Sequence, residues 1–422
     1  NPYPYVITTA RLNPVTGKPQ GFDGTKDIYP VPADGCPQTP REITLCHATG
    51  NPFPYEELTV SINSTTGQHG HEGHPQDIIP VPANGCPEPP DVPPAPPVPE
   101  TCPQILVFHT FRDENLEVYR LDGVEGDPDA VLINLSESDA VDCRPSRSPD
   151  DLWVVYQSDR DDNVELYYTD LGGSSQTRLT TSTSNNTNPM FGPDNETVAF
   201  QSDRNGNWDI FTTNIDMPNE QQLTSSIADD VNPFWSPDLR WLVFQTNRNG
   251  NWDIVLLDTE TGNETTLVAG SADEIYPAWS PNGQQIAFLR DDDGVWNLYV
   301  IDVDGSDLLQ ITDGEAHTTN HTWSPEGFRI AYQSERDGNL DVYTYDLRNE
   351  VEYRLTDYEG PDSGPTWDCG GANIAFTSTR DGNPNILQVP WQGGGQSNLT
   401  IDPSTDKWSQ WSPSKEPASR GR

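Results

Sequence analysis

The chain has 422 residues, 33% of them hydrophobic, and a formal net charge of −43 from 66 acidic and 23 basic residues. That charge excludes nucleic acid and anionic membrane surfaces as default partners, because phosphate repels it. No run of 18 apolar residues occurs, so no helical membrane span is expected.

Residues 1–37 and 38–87 read as two tandem modules. NPYPYVITTARLNPVTGKPQGFDGTKDIYPVPADGCP lies without a gap on NPFPYEELTVSINSTTGQHGHEGHPQDIIPVPANGCP, at an offset of 50. Short β-type runs (VITTARL, ELTVSI) between Pro/Gly-rich loops predict small β modules with little core, which ordinarily need disulfides or metal. The second module opens with LCHATG and closes with GCP, so Cys46–Cys86 is its natural staple. The first contains only its closing Cys36, so the chain is expected either to have been cut at Asn1 or to continue upstream.

The second module also holds His47 and the run HGHEGH. His69, His71 and His74, with Asp77, are the candidate ligands for a divalent cation, since imidazoles suit Zn²⁺, Cu²⁺ and Ni²⁺. The first module has Pro19, Gly21 and Gly24 at the three histidine positions, which favours a polar Gly-rich loop instead. The C-H-A-T-G…I-T-V-S…G-H…D-I-I-P pattern resembles a short Cys/His module of secreted bacterial proteins, a resemblance that implies no reaction.

Residues 88–103 are a Pro-rich linker of polyproline-II character. Beyond them the sequence repeats. SDRNGNWDI (202–210) returns as TNRNGNWDI (246–254), with weaker copies at 110–118, 158–166, 334–342 and 378–386. Pro149, Pro193, Pro237, Pro281, Pro325 and Pro413 keep a 44-residue beat, and Cys369 fills the one missed position. Two residues before each stand Arg147, Phe191, Trp235, Trp279, Trp323, Trp367 and Trp411. Within residues 233–268 the unit reads FWSP, WLVFQT, WDIVLLD and TTLV, four β runs separated by turns. Four strands per repeat of 40–50 residues predict a β-propeller. The nonapeptide is then a hairpin connection with Gly206, Gly250, Gly294, Gly338 and Gly382 at the left-handed turn position. Its Asp/Asn-rich tip is a Ca²⁺ candidate, but it lacks the spaced carboxylates of a calcium loop.

Six full units begin near residues 145, 189, 233, 277, 321 and 365. Residues 105–136 supply three further strands without an innermost one, and KWSQWSPS (407–414) supplies an innermost strand without a blade. The expected fold is therefore all-β: a seven-bladed propeller over 104–414, closed by the C-terminal strand, preceded by two small tandem β modules and followed by a polar tail, 415–422. The Trp column is expected to pack between blades.

W-S-P-(D/N)-G-x-x-I-A-F, followed by S-x-R-D-G-N-x-D-I-Y and x-x-L-T, resembles the TolB-type, WD40-like propeller repeat over about residues 102–414. Proteins with this repeat include periplasmic protein-binding propellers and propellers attached to peptidases. The chain departs from the peptidase members, having no α/β-hydrolase domain and no G-x-S-x-G elbow. It also departs from TolB in lacking the α/β domain that precedes that propeller.

Six cysteines favour an extracellular or cell-surface home, with the periplasm as the alternative. Cys102 and Cys369 fall on one rim of adjacent blades, where a bridge would lock the ring, and Cys143 is left for Cys36 or another chain. Only Lys18, Lys26, Lys407 and Lys415 occur, so the acidic surface suits a cation-rich exterior where Ca²⁺ or another divalent ion bridges surfaces. Sequons at Asn63, Asn134, Asn185, Asn195, Asn263, Asn320 and Asn398 are candidate glycan acceptors. No nucleophile–base pair stands out. His109, His317 and His321 are the propeller's histidines, and His321 takes the place of a proline found in blades two to five and seven. No blade carries an insertion of the kind that builds catalytic loops. The expectation is a non-catalytic secreted or surface protein. It would assemble with copies of itself into a filament or sheath, residues 1–100 of one subunit packing against a neighbouring propeller. The alternative is a TolB-like propeller that binds a peptide or glycan at one mouth of its channel.

Overall fold

Six-residue runs rich in β-branched and aromatic residues, such as WVVYQS and WLVFQT, pair with their neighbours through turns that favour Gly, Asn and Asp. In the computed structural model these runs form seven four-stranded antiparallel sheets, strands a to d, and the described residues contain no helix. The structure describes the backbone of residues 41–47, 56–62, 105–314 and 316–411, and the side chains of 105–314 and 316–407. The chain divides into two units, Asn1–Pro93 and Pro94–Arg422.

In the first unit Arg41–His47 pairs antiparallel with Glu56–Ile62, Cys46 lying opposite Glu57. The expected Cys46–Cys86 staple, the ligands His69, His71, His74 and Asp77, and Cys36 and Asn63 lie outside the residues whose side chains are described.

The second unit is the expected propeller. Strand a of blade one is Asp406–Trp411, which pairs with strand b, Ile105–Thr110, so the C-terminal strand closes the ring. Strands a of blades two to seven are Asp142–Arg147, Asn186–Phe191, Asp230–Trp235, Glu274–Trp279, Thr318–Trp323 and Asp362–Trp367. Each strand a contacts strand a of both neighbouring blades, so these seven strands line the central channel. Among the described residues no helix is long and apolar enough to cross a membrane.

The nonapeptide repeat is a structural clamp. Strand b carries a fully buried aromatic in every blade: Phe108, Tyr156, Phe200, Phe244, Phe288, Tyr332 and Phe376. In blades three, five and six it stacks on an aromatic of strand c with ring centroids 5.7–5.8 Å apart. In every blade except blade five, which has Asp292 at this position, the repeat's arginine lies over these rings, and in most it reaches the first residue of strand a. Arg160, Arg248 and Arg380 each bond a fully buried carboxylate, Asp142, Asp230 and Asp362, at 3.0 Å. Arg204 makes the same contact with the amide of Asn186 at 2.9 Å. The repeat's asparagine donates to the loop that leads into the next blade: Asn163 to Ser184 O, Asn207 to Ala228 O, Asn251 to Ala272 O, Asn339 to Gly360 O. Gly206, Gly250, Gly338 and Gly382 have the expected positive φ, between 93° and 103°.

Blade five keeps the 44-residue spacing but departs from the clamp. Its strands b and c are extended, Gln285–Asp292 and Val295–Asp302, and meet in a two-residue turn with φ of 55° at Asp293 and 91° at Gly294. That is the primed hairpin geometry. Val295 stands where the other blades have the clamp asparagine.

Trp235, Trp279, Trp323 and Trp367 are buried in clusters that combine side chains of two adjacent blades, as the column predicted. Arg147 fills that slot in blade two, buried, bonded to Asp151 at 2.5 Å and to the carbonyl of Ile105 in blade one at 2.7 Å.

Candidate functional site: the channel wall

Every strand a described from blade two to blade seven carries a β-bulge between its second and fifth residues. Two residues there oppose one on strand b, and the third residue of the strand turns to positive φ. These are Arg144 (52°), Asn188 (52°), Asn232 (55°), Tyr276 (53°), Asn320 (48°) and Gly364 (63°). Asn and Gly tolerate this region, whereas Arg and Tyr are strained there by on the order of 1 kcal/mol or more. Such strain persists only where surrounding structure fixes it.

The fixing groups are glutamines on strand b of the preceding blade. The backbone N–H of Asn188 donates to Gln157 Oε1 (3.3 Å), that of Asn232 to Gln201 (3.1 Å), that of Tyr276 to Gln245 (2.7 Å) and that of Gly364 to Gln333 (2.8 Å). In blade five Leu289 stands at the glutamine position, and in blade one His109. Side chains then link sideways: Arg144 donates to Asn188 Oδ1 at 2.6 Å, and Asn188 Nδ2 donates to Asn232 Oδ1 at 3.1 Å. Tyr276 follows along this arc with 55% of its surface exposed.

The arc walls a cavity of about 320 Å³, lined chiefly by these bulge residues from Arg144 to Asn320, the prolines that follow them, and His321. None of the described residues lining it is an Asp or Glu, although the chain carries 66 acidic residues. Among the described residues its one fully charged lining group is Arg144. It offers paired amides, a guanidinium and a phenol over an apolar floor of Met190, Phe234, Ala278 and prolines. Amide side chains both donate and accept, so the wall can match either partner of a peptide group.

The sequence-predicted residues fall as follows. His321 lines the cavity, and burial holds its pKa at about 4 against a smaller opposing pull from the Ala287 backbone. His109, on strand b of blade one, is also held at about 4, by burial first and then by the charges of Lys407 and Arg144. Both are neutral near pH 7, and a base with so low a pKa abstracts protons weakly. His317 is not part of the cavity lining, and its Nδ1 accepts from Trp296 N at 3.3 Å. The two blade-six histidines are therefore not brought together as one site. Cys143 is a free thiol, with Gln157 Nε2 donating to its Sγ at 3.4 Å, and Cys36, one of its two expected partners, lies outside the described residues. Cys369 is buried and disulfide-bonded, and Cys102 lies outside the described residues. Among the described residues no group of three or more His, Cys, Asp or Glu is placed to hold a metal ion.

Of the sequons, Asn134, Asn185 and Asn398 donate their Nδ2 to Asp113, Asp203 and Asp381 at 2.9–3.0 Å. Asn195 sits in the loop between strands a and b of blade three and accepts from Asp150 N at 2.8 Å. Asn263 is exposed between strands c and d of blade four, and Asn320 is exposed in the channel wall. The bulge residues themselves were not singled out from the sequence, apart from Asn320 as a sequon. Their signal is the residue before each strand-a proline, repeated every 44 positions.

Residues 131–276, 252–347 and 322–417 match the family model described as the TolB beta propeller domain. No curated protein matches the chain. Among solved structures, TolB from Acinetobacter baumannii aligns at 18% identity with a TM-score of 0.49, covering 71% of this chain and 80% of that one. Oligogalacturonate lyase from Vibrio parahaemolyticus aligns at 15% and 0.55, covering 71% and 86%. The β-propeller domain of the Trilobed protease from Pyrococcus furiosus aligns at 12% and 0.54, covering 71% and 96%. At such identities the likeness to solved structures is one of fold.

Proposed function

Because the chain belongs to the TolB beta propeller domain family, we propose that its propeller is a binding module that holds an extended peptide in the channel and performs no reaction there. The observation that carries this reading is the arc from Arg144 to Asn320, in which 44-residue repetition places a polar, positive-φ side chain at the same height in successive blades. An extended peptide presents N–H and C=O groups at about 3.4 Å per residue, and amide side chains can meet both. Among the described lining residues there is no carboxylate to take the paired O–H donors of a sugar, which favours peptide over glycan. The two neutral histidines and the absence of loop insertions support binding over catalysis. The reactions of the lyase and protease neighbours remain theirs. The disulfide at Cys369 supports a site outside the cytoplasm, and a periplasmic or extracellular location fits the family. Assembly through residues 1–100 draws no support from the propeller.

Selection of random peptides displayed on phage against the full chain tests this. Selected peptides should lose binding to a Tyr276→Ser, Asn232→Ala double variant whose thermal unfolding matches the parent. Peptides that ignore both substitutions would remove the channel as the site.

A further inference from the structure

We propose that the cleft between blades four and five is a binding site for a small planar aromatic compound. The site shares no lining residue with the channel wall and does not rest on the channel reading.

A cavity of about 420 Å³ opens in this cleft. That is within the range of roughly 300–1,000 Å³ usual for ligand pockets. Blade four lines it with Trp241 from strand b, Leu256 from strand c and Thr265 from strand d. Blade five adds Trp279 from strand a and Val303 just after strand c.

The repeat shows what fills the same place elsewhere, since residues two repeats apart are equivalent. Between blades two and three, Trp153 is the counterpart of Trp241. It packs edge-on against Tyr168 with ring centroids 5.6 Å apart, and Tyr168 donates to the carbonyl of Ile215 in blade three at 3.3 Å. Between blades six and seven, Tyr353 and Trp391 pack edge-on at 5.3 Å, with the Arg329 guanidinium 3.9 Å from the Trp391 ring centroid. Blades four and five have smaller residues at these positions. Leu256 stands where blade two has Tyr168, Thr265 where blade six has Tyr353, and Val303 where blade seven has Trp391.

The cleft therefore keeps its two tryptophans and lacks the ring that plugs its counterparts. Arg240, paired with Asp258 at 3.0 Å, lies 5.3 Å from the centroid of Trp241 and helps to hold that indole in place. Apolar cavities take up apolar rings readily, and an aromatic ring gains edge-to-face contact with indole beyond the area it buries. Asp238 and Asn282 are exposed members of the lining, so a polar substituent on the ring would meet a carboxylate and an amide.

The test uses the full chain and saturation-transfer difference NMR with 2-naphthol and its saturated counterpart, decahydro-2-naphthol. 2-Naphthol should receive saturation from the protein, and the saturated compound much less. Leu256→Tyr and Val303→Trp install the rings that blades two and seven carry at these positions. Each should abolish the transfer to 2-naphthol, with a melting temperature at or above the parent's because a cavity is filled. If one of them fails to fold, the other decides. Tyr276→Ser, in the channel, should leave the transfer unchanged. Absence of transfer to 2-naphthol, or transfer that survives in a folded plugged variant, would overturn the inference. Equal transfer to both compounds would remove the aromatic preference and with it the proposal. Loss of transfer in Tyr276→Ser would move the binding to the channel and overturn it as well.

Discussion

Arg380, in the b–c turn of blade seven, donates at 3.0 Å to the carboxylate of Asp362, fully buried at the start of strand a. The pair spans 18 residues of sequence and ties the hairpin tip to the innermost strand, and Arg160–Asp142 and Arg248–Asp230 repeat it. Breaking one partner of a buried pair leaves the other uncompensated, at a cost of roughly 3–5 kcal/mol, less here because the arginine is partly exposed. Arg380→Ala should therefore destabilise the propeller strongly. Asp362→Asn should cost much less, about 1 kcal/mol, because blade three already uses Asn186 against Arg204. Urea unfolding of the two variants checks the order; equal losses would contradict the clamp.

Closure makes a second prediction. Strand a of blade one pairs Leu106 with Trp411 and Thr110 with Asp406, and Asp406 bonds Arg112 at 2.7 Å. Deleting residues 405–422 should lower the melting temperature by on the order of 10 °C or more, given about 2–4 °C per kcal/mol for a large domain. A melting curve within a degree or two of the parent would contradict closure by this strand.

The third concerns pH. His321 titrates near 4 in the folded protein against 6.5 when exposed, so the unfolded chain binds a proton that the folded one refuses. Its contribution is present above pH 6.5 and is lost as pH falls from 6.5 through 4, by up to about 3 kcal/mol. His109 acts in the same sense. Glu274, raised to about 7 mainly by burial, acts in the opposite sense between 4.5 and 7. The comparison that isolates His321 is His321→Pro, the residue of blades two to five and seven at this bulge position. The variant should gain stability over the parent as pH falls below 6.5, and a constant difference from pH 7 to 4.5 would refute the assignment.

The fourth concerns the ring's covalent lock. Cys369 is disulfide-bonded and Cys143 is free. Mass-spectrometric mapping without reduction should join the Cys369 peptide to that of Cys102, and alkylation should mark Cys143. A Cys369 peptide joined to any other cysteine would refute the Cys102 pairing.

Much of this was legible in the sequence. The 44-residue beat of Pro149 to Pro413 carries the blade count, and the unpaired strands at 105–136 and 407–414 carry the closure. The turn glycines were legible because only a missing Cβ makes φ near 95° inexpensive. The arginine clamp was half legible: Arg380 stands out in STRDGN, but its partner Asp362 becomes its neighbour only through strand pairing. The channel wall was hidden for a different reason. Arg144, Asn188, Asn232 and Tyr276 are of three residue types, and what all four share is a backbone bulge, which composition does not announce. The two histidines of blade six are not a pair either, since His317 and His321 lie four residues apart yet serve a loop and the channel separately.

The central claim is that the channel wall is where this propeller binds. Hydrogen exchange of the full chain, with and without a peptide selected on phage, tests it most directly. Binding should slow exchange in the strand-a segments around residues 144, 188, 232 and 276 together, spaced 44 apart, and leave the outer strands d unchanged. Slowing confined to the outer strands or to the b–c turns, with those four segments unaffected, would contradict it.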